Sequence, residues 1–381
     1  MKIGIITQPL HTNYGGLLQN YALQQVLKGW GHNVITLDQK NVLLPKWRIY
    51  ASFIKTFLFK IIGKGNERNY PYSLNKREQA YIRQHTNRFI NKYINHTEPF
   101  LKIKDFRNYT INNSLDALIV GSDQVWRPIY NRNVLCSFFD FSKGLQVKRI
   151  AYAASFGVSH WEFNKSQTKH CRELIRNFNG VSVREDSGID LCRKYLYCDA
   201  LHVLDPTMLL EKEDYIHLVE EENEPISKGN LFTYILDNSI EKKSIVDEVA
   251  SELSLIPFAV LPKSKASRKT IKRNLDACVY PSVTQWLRAF VDAEFVVCDS
   301  FHGAVFSIIF NKPFLIIGNK GRGMARFNAL LEMFDLKNRM VNDIADIHSI
   351  VNTLIDWDKI NQIRLKMKIY SLEYLIKNLN Q

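Results

Sequence analysis

The chain has 381 residues, 46% hydrophobic and 23% charged, with six scattered cysteines and a formal net charge of +13. That length accommodates two domains with separate cores, and that composition excludes a disordered or fibrous chain. No apolar run nears the roughly 20 residues that span a bilayer, and no CxxC pair marks a zinc site or a disulfide framework.

The first element is a buried strand, KIGIIT (2–7), after which polarity returns too early for a signal-peptide core. Free cysteines and the missing leader pattern make a reducing cytoplasm the expected compartment. Turn residues TQPLHTNYGG lead into LLQNYALQQVLKGWG, whose apolar residues fall at helical spacing and stop at Gly29 and Gly31. With the strand NVITLD (33–38) this completes a βαβ unit, which implies a parallel sheet.

From Lys40 to Lys92 twelve Lys or Arg stand against two acids, Glu67 and Glu78, a net +10 that is most of the chain's excess. Within it, residues 47–65 interleave Trp47, Ile54, Phe57, Leu58 and Ile61 with Arg48, Lys55, Lys60 and Lys64. Such a segment suits peripheral contact with an anionic inner-membrane surface or an anionic lipid carrier, or packs as an ordinary helix on its own domain. No stacking or helix-turn-helix signature accompanies the charge, so nucleic acid is not expected as a partner.

Residues 77–94 read as one helix, and the apolar stretches at 117–126, 149–157 and 180–186 each read as a strand ending in polar residues. ALHVLDPTMLL (200–210) reads as a crossing into a second αβ alternation, carried by LFTYILD, PFAVLP, AEFVVCD and PFLIIG. The expected organisation is a first domain over 1–199 with a basic insertion at about 40–110, a second over 200–355, and a helical tail over 356–381. In doubly wound sheets of this kind, ligands lie off the carboxyl ends of the strands.

Four strand ends carry candidate chemistry. Gly15 and Gly16, with Asn13 and Gln19, let backbone approach a ligand at a helix start, although a plain tight turn needs the same residues. Ser122, Asp123, Gln124 and Trp126 offer hydroxyl partners and an apolar face for a sugar, and Asp123 offers a base. An Asx-type turn beside a core tryptophan is the competing reading. Arg184 ends its strand as an anion ligand or as a local ion-pair partner.

The stretch CDSFHGAVFSIIF (298–310) reads as strand, cap and buried helix, with Ser300 as N-cap and His302 in the first turn. The N–H groups of Gly303 and Ala304 then form an anion seat, and His302 is placed for proton transfer. Beyond the next strand, Lys320, Arg322 and Arg326 supply cations on glycine-rich backbone. No His, Cys and acid cluster at ligand spacing calls for a metal.

Taken in order, NYGGLLQNYALQQVL, VGSDQVW, YAASFG, VSVREDSG, VLDPTMLL, DSFHGAVFSIIFNKPF and RFNALLEMFDL resemble the polysaccharide pyruvyl transferases. The resemblance implies a GT-B-like fold, two Rossmann-like domains facing a central cleft. It implies transfer of the enolpyruvyl unit of phosphoenolpyruvate to two hydroxyls of a sugar in a cell-surface polysaccharide or its lipid-pyrophosphate-linked precursor, without a cofactor. It marks His302 as the key catalytic group and Arg184, with Lys320, Arg322 or Arg326, as donor ligands; the chemistry then suits His302 as general acid and Asp123 as helper base or acceptor ligand. Some members carry an arginine two residues before the histidine; here Ser300 holds that place. The competing readings are a GT-B nucleotide-sugar glycosyltransferase and a non-catalytic basic module that binds anionic polymer or membrane.

Overall fold

The computed structural model describes residues 1–39, 74–131, 133–318, 323–341 and 343–380. The basic segment 47–65 and the cations Lys320 and Arg322 fall outside the described residues. The first half runs β1 (Lys2–Ile6), α1 (Tyr14–Gly29), β2 (Asn33–Thr36), α2 (Lys76–Ile82), α3 (Gln84–Tyr93), α4 (Ile103–Asn112), β3 (Ala117–Val120), β4 (Lys148–Ala154), α5 (Lys165–Ile175), β5 (Gly180–Val183), α6 (Asp186–Leu191) and β6 (Leu201–His202). The second runs α7 (Lys212–Glu221), β7 (Leu231–Tyr234), α8 (Ile240–Leu253), β8 (Pro257–Phe258), α9 (Arg268–Arg273), α10 (Val283–Asp292), β9 (Phe295–Cys298), α11 (Phe301–Ile309), β10 (Phe314–Ile317), α12 (Ala325–Met333), β11 (Met340–Val341), α13 (Ile347–Asn352) and α14 (Trp357–Asn380).

All pairings between these strands are parallel, in two sheets ordered β2-β1-β3-β4-β5-β6 and β11-β10-β9-β7-β8. Helices cover both faces of a parallel sheet, so central strands are apolar throughout rather than alternating. ALIV of β3, FVVC of β9 and FLII of β10 are buried at every position for that reason.

Two local readings change, and the helical tail gains a docking place. The helix expected over 77–94 is two, broken at Arg83, whose φ of −99° and ψ of 8° leave the helical region. Leu201 and His202 add a sixth strand beside β5, so the first sheet extends past residue 199. The tail is one helix that returns to the first domain, where Tyr374 Oη donates to Ala151 O at 2.8 Å and Ser371 Oγ accepts from Leu204 N at 3.0 Å. No helix among the described residues is long and apolar enough to cross a membrane.

The described part of the basic insertion also ties the domains together. Tyr280 N donates to Ile82 O at 3.0 Å, and Lys92 Nζ pairs with Glu222 at 2.7 Å. Only the second is an ion pair, and with Lys92 partly exposed it contributes little to stability.

Candidate active site

The carboxyl ends of β1, β3, β7 and β9 and the start of α12 converge on one cleft of about 300 Å³ between the two sheets. Gln8, His11 and Asn13 follow β1, Asp123 and Gln124 follow β3, and Leu236 follows β7. Asp299, Ser300, Phe301 and His302 close β9 and open α11, and Arg326 lies in the first turn of α12.

His302 is 5% exposed, and its ring lies on Gly15, where a Cβ would stand 2.1 Å from Cγ and Nδ1. Its Nε2 is buried, 3.6 Å from Asp205 Oδ2, and among the described residues has no partner at hydrogen-bond distance. Asp205 was read only as part of a crossing segment, yet it organises the site. It is 2% exposed; Oδ2 accepts from Arg184 Nη1 at 2.6 Å and Ser122 Oγ at 2.9 Å, while Oδ1 accepts from Thr207 N at 3.0 Å. Burial acts to raise the Asp205 pKa, but His302 and Arg184 outweigh it and hold the carboxyl far below its ordinary range.

Arg184 reaches the second acid as well, with Nη2 3.5 Å from Asp123 Oδ1. Its guanidinium lies 4.3 Å from the Phe301 ring centroid, and that of Arg326 lies 5.6 Å from the same ring. Phe301 is therefore a shared stacking surface for two arginines, a geometry that orients cations without neutralising them. Burial, followed by the charge of Arg184, pushes the Arg326 pKa down to about 10, so it remains a cation at neutral pH.

Asp123 has φ of +69°, a left-handed conformation rare outside glycine and concentrated at functional sites. Asn13 Nδ2 donates to its Oδ2 at 3.0 Å and Gln124 N to its Oδ1 at 2.9 Å. Burial opposes its charge, but Arg184, His302 and Arg326 together hold its carboxyl below the usual value. An acid so stabilised accepts hydrogen bonds well and takes protons poorly.

Several expected ligands have other duties. Trp126 is 0% exposed, stacks on Phe138 at 4.8 Å and donates Nε1 to Ser137 O at 3.1 Å, so it is core and offers no face to a sugar. Gln19 is buried and donates to Thr7 Oγ1 at 2.7 Å and Gly16 O at 2.9 Å. Ser122, also buried, serves Asp205. Gly16 N donates to the N-cap oxygen of Asn13 at 3.2 Å, which completes the start of α1. Gly303 faces Cys298, where a Cβ would stand 2.7 Å from the cysteine Cβ, and Ala304 N donates to Ser300 O at 3.1 Å. Neither lines the cleft; of the first turn of α11, Phe301 and His302 do. Ser300 and Gln124 do line it, and Gln124 Oε1 also accepts from Arg127 Nη1 at 2.9 Å.

Asp205, whose role sequence reading missed, and Asp299, left without a role, had local signals of another kind. Asp205 precedes Pro206 and caps a short 3₁₀ turn, so VLDP reads as a cap, and its second oxygen is free for Arg184 only in the folded chain. Asp299 accepts from Leu236 N at 2.8 Å and from Lys242 Nζ at 2.5 Å, fixing the loop after β7. Among the described residues no three His, Cys, Asp or Glu side chains are grouped as metal ligands would be.

Known proteins share this architecture. The structure of a UDP-GlcNAc 2-epimerase from Neisseria meningitidis, bound to UDP-GlcNAc, is similar over 99% of this chain and 100% of its own, at 9% identity and a TM-score of 0.53. That of Arabidopsis thaliana UGT89C1, complexed with UDP-L-rhamnose, is similar over 99% and 98%, at 10% identity and 0.53. Identities this low establish the fold alone, and that fold is GT-B, with two Rossmann-like domains. No curated protein matches the sequence. A family model described as polysaccharide pyruvyl transferase matches residues 13–321, from the cap of α1 to the segment before α12. The chain belongs to the polysaccharide pyruvyl transferase family.

Proposed function

We propose that the protein transfers the enolpyruvyl unit of phosphoenolpyruvate to two hydroxyls of one sugar residue, giving a cyclic pyruvate ketal and inorganic phosphate. The observation that carries this reading is the pair Arg184 and Arg326 on Phe301, beside a cleft-lining histidine whose Nε2 faces Asp205 at 3.6 Å. A small trianion needs fixed cations, and protonation of its methylene carbon needs an acid close by.

In this mechanism the phosphate and carboxylate rest on Arg184, Arg326 and the first-turn N–H groups of α11. His302 delivers a proton to the methylene carbon, which becomes the methyl group, and C2 takes on cationic character. One sugar hydroxyl bonds to C2 and loses its proton. The C2–O bond to phosphate then breaks, phosphate departs with the bonding pair, and the second hydroxyl closes the ketal and loses its proton. The two hydroxyl protons balance the new methyl C–H bond and the released phosphate. Asp123 accepts a hydrogen bond from one attacking hydroxyl and stabilises the charge that develops at C2. Asp205 holds Arg184 and faces the imidazole, and is a positioning residue.

The test incubates the purified protein with phosphoenolpyruvate and a panel of glycans and follows phosphate release together with the mass gain of a pyruvate ketal. Stoichiometric release and mass gain are expected. Silence across the panel, with no binding of phosphoenolpyruvate by calorimetry, overturns the reading.

A further inference from the structure

His11 stands in the cleft without a role in the chemistry above. Its Nδ1 accepts a hydrogen bond from Thr12 N at 2.6 Å, so that nitrogen carries a lone pair and the ring proton of the neutral imidazole sits on Nε2. Among the described residues no group is bonded to Nε2, and the side chain lines the cleft with Gln8, Asn13 and Asp123. A second proton would sit on Nδ1, facing the Thr12 N–H. Burial, then the cation Arg83, act against it as well and outweigh the attraction of Asp123, holding the His11 pKa down to about 4. His11 is a neutral N–H donor at neutral pH.

Asp123 links the two arginines to the side of the cleft that His11 lines. Arg184 and Arg326 gather beside Phe301, where an anion belongs. The ionised Asp123 pairs with Arg184 through Oδ1 at 3.5 Å, while its Oδ2 is turned to Asn13, on the side of the cleft that His11 lines. A neutral donor beside an ionised acceptor matches a hydroxyl-bearing ligand, whose oxygens both donate and accept.

We propose that His11 is a further binding residue for the sugar acceptor, presenting Nε2–H to one of its oxygens while Asp123 accepts from a neighbouring hydroxyl. The assignment rests on the transferase reading for the identity of the ligand, and on the Thr12 hydrogen bond for the tautomer. It makes acceptor binding dependent on a donor whose protonation does not change between about pH 5 and 9.

The experiment uses His11→Phe and His11→Gln in the full-length protein. Removal of one neutral hydrogen bond should raise KM for a methyl hexopyranoside roughly ten-fold in His11→Phe, with the Kd of phosphoenolpyruvate unchanged. His11→Gln, whose amide keeps an N–H donor, should lie within about three-fold of the parent. Nitrogen-15 NMR of the parent should show Nε2 protonated, a titration midpoint near pH 4, and a shift of that resonance when methyl hexopyranosides are added.

An Nδ1-protonated ring, or a phosphoenolpyruvate Kd raised by His11→Phe with hexoside KM unmoved, overturns the assignment. A protein that shifts His11 on binding hexosides but transfers no pyruvyl group supports it and instead removes the transferase reading.

Discussion

Gly15 and His302 are in contact across the domain boundary: a single methyl on Gly15 would lie 2.1 Å from the imidazole. The glycine comes from the first turn of α1 and the histidine from the first turn of α11, so the two helix starts pack against each other. The histidine is thus held by a contact from the first domain as well as by its own helix.

Gly15→Ala tests this contact. Alanine favours a helix over glycine by about 0.5–1 kcal/mol, so the local effect is stabilising and the clash opposes it. Transfer activity should fall at least about 100-fold, the scale reported for catalytic groups displaced by an ångström, with little change in melting temperature. Retained activity in a folded variant would sink the claim that His302 must occupy this position.

Asp205→Asn should destabilise the fold by about 3–5 kcal/mol, because it leaves Arg184 buried beside a neutral amide. The pH dependence follows from the sign. Asp205 and Asp123 have folded pKa values below their unfolded ones, so their stabilisation is present above the ordinary carboxylate pKa of about 3.9 and is lost as pH falls below it. Urea titrations from pH 7 to 3 should therefore show a steep loss of stability in the parent and a shallower one in Asp205→Asn.

Phe301→Leu removes the ring shared by Arg184 and Arg326 while keeping an apolar side chain. A cation–π contact contributes about 0.5–2 kcal/mol, so the Kd of phosphoenolpyruvate should rise roughly ten-fold. Calorimetry measures it directly, and an unchanged Kd would show that the arginines hold their orientation without the ring.

Trp126 separates packing from recognition. Its complete burial predicts that Trp126→Ala costs about 3–5 kcal/mol of stability. Trp126→Phe should lose less and leave acceptor KM within about two-fold. A large rise in acceptor KM in a stable Trp126→Phe protein would restore the sugar-stacking role.

Gly323 has φ of +92°, and a Cβ there would stand 2.0 Å from Gly157 O in the first domain. Gly323→Ala should therefore shift the segment that leads into α12 and move Arg326. Donor affinity should fall roughly ten-fold or more, since strain of this kind costs about 1–3 kcal/mol, and a crystal structure of the variant should show Arg326 displaced from Phe301.

Much of this protein is legible in its sequence because it depends on short-range physics. Apolar runs such as ALIV and FVVC, separated by helical periods, dictate parallel strands covered on both faces. His302 at a helix start and Asp123 at a strand end are local facts of the same kind. Tertiary structure alone decided which oxygen of Asp205 meets Arg184, that Gly15 yields its space to His302, and that Trp126 turns inward while Phe301 receives two arginines. Those outcomes depend on how two sheets and a returning C-terminal helix pack together. Propensity and periodicity act over a few residues and carry no information about contacts between side chains far apart in the chain.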